Sequence, residues 1–220
     1  PKPQNPTCLN KYSPKHEVRL ISNRSSGRMG VLLAQAARFR GADVDLVHGP
    51  LTVPEAWLEG LHCLPAFSSA AMEVCLLEHQ PRADAVLMCA AVADVRRERL
   101  EDSSKLPKGE LMETITQGWE QVPDLLQWLG SRRPSRQRLL GFAALAGDED
   151  TLLQRGREKF KAKGCDLLMV NPIDRPDQGL DSDLNGGWLL GPGDRQEAIP
   201  AMHKLALAHG LLDRLSQLGD

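Results

Sequence analysis

The segment Asn23-Arg-Ser-Ser-Gly-Arg-Met-Gly30 runs directly into a stretch with helical spacing, and this junction most constrains what the chain can fold into. From Met29 to Arg40 the apolar residues recur at the period of a helix face, and Gly41 stands where a C-terminal glycine is expected. Asp43-Val-Asp-Leu-Val47 then reads as a short apolar strand that ends at His48-Gly-Pro50. Loop, helix, glycine and strand in that order are the rhythm of a βαβ unit, which needs a parallel sheet.

The alternation continues along the chain. It predicts a helix over 68–80, a buried strand over 83–91, a helix over 123–130 and a strand over 138–144, then a helix over 148–163 and a strand over 166–170. Residues 171–185 read as loop, 186–190 as an edge strand and 199–218 as an amphipathic C-terminal helix. Residues 96–122 are charged and weakly periodic, as expected of a functional flap or a flexible connection. Residues 1–17, rich in Pro, Asn and Lys, are expected to be a poorly ordered lead-in to one domain over 18–220. In open parallel α/β sheets, ligands bind beyond the carboxyl ends of the strands. Function is therefore expected at His48–Pro50, Cys89–Asp94, Gly141–Ala146 and Asn171-Pro172.

Composition removes several classes of function. Aromatic residues are only 4%, which argues against a nucleic-acid binder that works by stacking bases. With 27 basic and 29 acidic residues, attraction to a phosphorylated ligand has to come from local placement of Lys and Arg. The five cysteines are widely spaced with no CxxC pair, so reduced thiols in a cytoplasmic protein are expected. No apolar run is long enough to span a bilayer, and no membrane association is expected.

Three places are suited to chemistry. Between Asn23 and Gly30, glycines and exposed helix-start amides favour a phosphate or carboxylate; a helix capped by Ser25 or Ser26 explains the same residues equally well. Asp94, just past the strand that ends in Ala90-Ala-Val-Ala, stands where a carboxylate touches a ribose or a metal-bound phosphate, or where a turn residue is needed. Lys159 and Lys163 share a helical face and are able to hold a triphosphate together, although such pairs more often form a solvated face. The histidines show no metal-ligand spacing, and no Ser/His/Asp or Cys/His set stands out.

Taken in order, these segments resemble the phosphopantothenoylcysteine synthetase family. The family's Ile-Ser-Asn-x-Ser-Ser-Gly-[Lys/Arg]-Met-Gly signature is matched by Ile21–Gly30, with Arg28 at the basic position. Its Ala-Ala-Val-Ala-Asp segment is matched at Ala90–Asp94 and its Gly-Phe-Ala-Ala segment at Gly141–Ala144. Lys159, Lys163 and Asn171 match a two-lysine helix before a strand ending in Asn, and Gln178–Asn185 match the loop that follows. Departures are Lys105-Leu-Pro-Lys108 for Lys-x-Lys-Lys, Val122-Pro-Asp-Leu125 for Asn-Pro-Asp-Ile, and no strand or Gly-Gly-Thr turn over 5–12.

The resemblance implies an α/β fold, a Rossmann-like three-layer αβα sandwich with a mostly parallel sheet and a flap and edge-strand extension. It implies a ligase of coenzyme A biosynthesis that joins 4'-phosphopantothenate to L-cysteine with CTP and Mg²⁺ through an acyl-cytidylate. Asn23 and Lys105 are the implied catalytic residues. Met88, Cys89, Ala90, Asp94, Lys105, Pro123, Asp124, Leu125, Phe142, Lys159 and Lys163 are the implied nucleotide-binding residues, and Asn23, Ser25, Ser26 and Gly27 the implied contacts to the acid. Metal is expected to arrive with the nucleotide phosphates, with Asp94 beside it, rather than in a protein cage. A homodimer and a link to a phosphopantothenoylcysteine decarboxylase domain are also implied. The alternatives are a degenerate or truncated relative that binds nucleotide without turnover and, from another class, a NAD(P)-dependent Rossmann reductase. The latter usually carries a Tyr-x-x-x-Lys pair, and Tyr12 is the single tyrosine.

Overall fold

The computed structural model describes Asn23 and residues 25–97, 116–179 and 182–218. The calls on 1–17, on the segment beginning at Val18, and on Lys105 and Lys108 lie outside the described residues. Helix α1 (Arg28–Phe39) is followed by β1 (Asp45–His48), a 3₁₀ turn at Glu55–Leu58, β2 (His62–Pro65), α2 (Ser69–His79) and β3 (Ala85–Met88). Next come β4 (Val95–Arg97), β5 (Trp119–Gln121), α3 (Leu125–Arg132), β6 (Arg138–Leu145), α4 (Glu149–Lys163) and β7 (Leu167–Pro172). The chain closes with β8 (Leu184–Leu190), β9 (Gln196–His203) and α5 (Lys204–Ser216).

A five-stranded sheet in the order β3-β6-β7-β8-β9 forms the centre, and β1 and β2 form a separate parallel pair. β3, β6 and β7 run parallel, while β8 and β9 join antiparallel. Side chains alternate across a strand, so β6 and β7 bury both faces. Leu139, Leu168 and Val170 pack with Met72 and Leu76 of α2, Leu129 of α3 and Leu152 of α4. Leu140, Leu167 and Met169 pack on the opposite face with Leu33 of α1 and Leu207 and Leu211 of α5. Helices therefore cover both sides of a mostly parallel sheet, as the three-layer expectation has it. Each fully buried leucine here contributes on the order of 1.5–3 kcal/mol.

Three readings are corrected. Residues 199–203, expected to open the C-terminal helix, belong instead to the strand β9 (Gln196–His203), and the helix begins at Lys204. Pro200 explains this: it has no amide proton and disfavours a helix interior, but it fits an outer strand. β9 is the edge of the sheet, and Pro200 lies near the register shift between Asn185 and Gly187. In consequence β8 is an interior strand, not the edge. β2 had no counterpart in the sequence reading; it is a four-residue strand whose only partner among the described residues is β1. The strand expected over 83–91 is shorter, β3 pairing in register with β6 from Ala85 to Met88, after which the chain leaves the sheet. The charged stretch over 96–122 starts and ends in an antiparallel pair, β4 with β5, joined by Arg96 and Glu120 at 2.5 Å.

Candidate active site

The anion-favouring segment sits over the carboxyl end of β3. Gly27 occupies the N-cap of α1 with φ of 73°, in the left-handed region that glycine enters without penalty. A Cβ there would lie 2.2 Å from Leu51 Cδ2. This corrects the expectation that Ser25 or Ser26 caps the helix: the Ser25 hydroxyl accepts from the Gly27 N–H and the Ser26 hydroxyl from the Arg28 N–H, each at 3.3 Å. The Thr52 N–H donates to the Ser26 carbonyl at 3.0 Å, so the segment after β1 braces the loop.

Three contacts bring this cradle to the end of β3. Asn23 donates its side-chain amide to the Val92 carbonyl at 2.9 Å. Gly30 lies so close to Cys89 that a Cβ would come within 3.2 Å of its Sγ. Burial pushes the Cys89 thiol up to about 11, which keeps it protonated and apolar in character. Met88 is in register with Gly141, which sets Phe142 one residue further along β6. Phe142, Met29 and Cys89 pack against the same apolar cluster. Asn23, Ser25, Ser26, Gly27, Met88, Cys89, Ala90 and Phe142 are thus gathered at one end of the sheet. Asp94 is exposed, and its carbonyl accepts from the Val122 N–H at 2.9 Å.

Asp124 and Lys163 form a second group. Asp124 caps α3, accepting from the Gln127 N–H at 3.0 Å, and its other carboxylate oxygen pairs with the Lys163 ammonium. Burial raises the Asp124 carboxyl, but the Lys163 bond, the Gln127 N–H and the charges of Lys163 and Lys159 outweigh it and hold it below its ordinary value. Lys163 is the last residue of α4, at the helix end that leads into β7. Lys159 is exposed, and Pro123 precedes the cap. Leu125 is 3% exposed within the core, so only its backbone is open to a ligand. Lys105 lies outside the described residues.

Asn171, at the end of β7, is buried and donates to the Asn185 side chain at 2.8 Å and to the Gly186 carbonyl at 3.2 Å. A cavity of about 310 Å³ lies on the extension, lined by Pro172, Arg175, Gln178, Trp188, Ile199 and Pro200 among others. Pro172 and Gln178 belong to segments that the sequence singled out, but none of the expected catalytic, nucleotide-binding or acid-binding residues lines this cavity, and those that are gathered lie at the β3 cluster.

A family model described as the DNA/pantothenate metabolism flavoprotein C-terminal domain matches residues 12–218. The chain belongs to this family. The coenzyme A biosynthesis bifunctional protein CoaBC of Mycobacterium tuberculosis H37Rv is 34% identical over 211 residues, which is 92% of this chain and 49% of the relative. CoaBC of Escherichia coli K12 is 30% identical over 203 residues, 92% of this chain and 48% of the relative. The chain thus spans about half the length of the curated relatives it matches. Among solved structures, the C-terminal domain of CoaBC superposes with a TM-score of 0.70 at 24% identity, covering 92% of this chain and 87% of that one. A Cab2 mutant in complex with phosphopantothenate-cysteine superposes at 0.62 and 14%, covering 91% and 81%. At these identities the two structures speak for the fold. The resemblance drawn from the sequence motifs is borne out at the level of the family.

Arg28 was missed as a functional candidate. Its guanidinium pairs with Asp183 and lies 5.9 Å from the Trp57 ring centroid. Its position in the loop-to-helix signature was visible in the sequence, but its partner, 155 residues away, was not.

Proposed function

We propose that the chain is a phosphopantothenate–cysteine ligase that acts in coenzyme A biosynthesis and uses CTP. The carrying observation is the Asn23–Val92 bond, which holds an amide beside the anion cradle at the carboxyl end of β3. Membership of the family and the coenzyme A names of its relatives support the same reading.

In this reading the acid's carboxylate attacks the α-phosphorus of CTP and pyrophosphate leaves. The cysteine amine then attacks the acyl carbon and CMP leaves. The Ser25–Gly27 loop at the start of α1 holds the acid's phosphate, because the first turn of a helix carries partial positive charge. Asn23 donates to the oxyanion that develops on the acyl carbon. Met88, Cys89 and Ala90 line the nucleotide pocket through their backbone with Phe142 against the base, and Lys105, Lys159 and Lys163 meet its phosphates. Among the described residues no group of three or more His, Cys, Asp or Glu converges on one point. Mg²⁺, which neutralises charge on the departing pyrophosphate, would come with the nucleotide and take Asp94 as a partner. We place the protein in the cytoplasm as a homodimer, linked to a decarboxylase domain as the sequence resemblance implies. Among the described residues Cys63, Cys75, Cys89 and Cys165 form no disulfide, and no described helix is long and apolar enough to cross a membrane.

The test is incubation with CTP, 4'-phosphopantothenate, cysteine and Mg²⁺, with CMP and pyrophosphate measured. Equimolar release dependent on the acid is expected. CTP binding without release would instead make this chain the non-catalytic relative, and the same assay with ATP decides the nucleotide.

A further inference from the structure

β1 and β3 belong to different sheets but lie between the same two helices. On one face, Val31 and Ala34 of α1 share a cluster with Leu46 of β1, while Leu33 and Ala36 of the same helix share one with Leu87 of β3. On the other face, Met72, Cys75 and Leu76 of α2 share a cluster with Val47 of β1 and with Val86 and Met88 of β3. The two strands also run the same way. The segment leaving β1 carries Leu51 onto Gly27, and the segment leaving β3 brings Cys89 to Gly30 and Val92 to Asn23, so both carboxyl ends meet the amino end of α1. Among the described residues, however, β1 pairs only with β2 and β3 only with β6. Their facing edges are left without a strand between them.

The gap is one strand wide. Neighbouring strands lie about 4.8 Å apart, so one absent strand sets β1 and β3 at roughly 9.6 Å, within the breadth of about 10–12 Å that a helix and its side chains cover. Two absent strands would set them about 14 Å apart, too far for α1 and α2 each to cover both. Burial agrees: β7, bonded on both edges, is buried at every residue, whereas Ala85–Met88 is apolar throughout and buried at none. Since both faces of the gap are covered by apolar side chains, the strand that fits it is apolar at successive positions rather than at alternate ones. This chain has none to spare. Its described apolar strands already lie in the sheets, and residues 1–22 and 98–115 hold no run of more than two apolar residues. A second copy lacks a free segment for the same reason. We propose that the gap between β1 and β3 binds an extended segment of a partner polypeptide, apolar on both faces, which pairs with both strands and joins the two sheets into one. This docking site goes beyond the ligase reading and does not depend on it.

The experiment adds a synthetic peptide, Lys-Val-Val-Ile-Val-Lys, to the full chain. The control is Lys-Val-Val-Pro-Val-Lys, because proline lacks the amide proton that a central strand donates. Hydrogen exchange at single amides, Tm and sedimentation are measured. The first peptide should slow exchange about tenfold or more at those amides of Asp45–His48 and Ala85–Met88 that point away from β2 and β6. At a concentration about a hundredfold above its Kd, it should also raise Tm by about 5 °C or more. The proline peptide should do neither. If these amides already exchange as slowly as those of β7 in the chain alone, the proposal is overturned, because the chain itself then fills the gap. Protection at the β9 edge instead, an equal effect of the proline peptide, no effect of either, or self-association in place of a one-to-one complex overturns it as well. None of these readouts involves turnover, so the ligase reading stands or falls separately.

Discussion

Asn23 and Val92 are 69 residues apart, and the 2.9 Å bond from the Asn23 amide to the Val92 carbonyl fastens the α1 cradle to the chain leaving β3. An amide has two N–H donors, so one fixed bond sets the direction in which the group donates. Asn23→Asp removes both donors and sets a carboxylate against a carbonyl oxygen. Pyrophosphate release should persist in this variant while phosphopantothenoylcysteine formation falls by about 10²-fold or more, the usual effect of losing an oxyanion donor. The two half-reactions are followed separately by pyrophosphate and by product mass. Equal survival of both would mean that Asn23 only ties the loop.

The contact between α3 and α4 yields a stability prediction. A Cβ on Gly130 would lie 1.9 Å from the Lys163 carbonyl oxygen, and a backbone atom cannot swing aside. This close approach is what lets Lys163 reach Asp124. Gly130→Ala should cost on the order of 1–3 kcal/mol or more through overpacking. Asp124→Ala, which removes an N-cap, should cost about 1 kcal/mol, and Asp124→Asn clearly less because Asn caps as well. Urea denaturation reads all three. Since the folded Asp124 carboxyl lies below its ordinary 3.8, its contribution is full above that pH and is lost as the pH falls further.

Cys89 yields a reactivity prediction. Burial pushes its thiol, and that of Cys165, from an ordinary 9.0 to about 11, so the folded protein holds roughly a hundredfold less thiolate at these positions than the unfolded chain. Alkylation at pH 8 followed by peptide mass spectrometry should show both protected until denaturant is added. The same shift makes stability fall as pH rises above 9, where the unfolded chain loses these protons first. Rapid native labelling of Cys89 would mean that the α1–β3 junction opens.

Much of this was legible because it is local. The helix α1, its glycine exit and the strands β6 and β7 follow from spacing alone, since a two-sided core demands continuous apolar strands. β9 was not legible, because Ile199, Met202 and Leu207 also fit a helical stripe, and only Pro200 spoke against it. The cradle loop was legible as chemistry but not as geometry. Its cap fell to Gly27 because Leu51 leaves no room for a Cβ, a contact that no local pattern reveals. The Arg28–Asp183 and Asp124–Lys163 pairs are likewise long-range, and sequence supplied the residues without the pairing.

Leu51 and Thr52 also connect the β1–β2 pair to function. Asp45 of β1 receives His62 of β2 on one carboxylate oxygen and His79, at the end of α2, on the other, each at 2.7 Å. Burial raises the Asp45 carboxyl, but these two bonds and the histidine charges outweigh it and hold it below its ordinary value. Asp45 thus fixes β1, whose exit carries Leu51 onto Gly27 and the Thr52 N–H onto the Ser26 carbonyl. Asp45→Ala should cost about 1–2 kcal/mol, two hydrogen bonds at a half-exposed position. The effect should reach the cradle as faster hydrogen exchange at the Thr52 amide and a higher KM for the phosphorylated acid, with KM for cysteine unchanged. If Thr52 exchange stays at the wild-type rate while global stability drops, the β1–β2 pair supports the fold without holding the site.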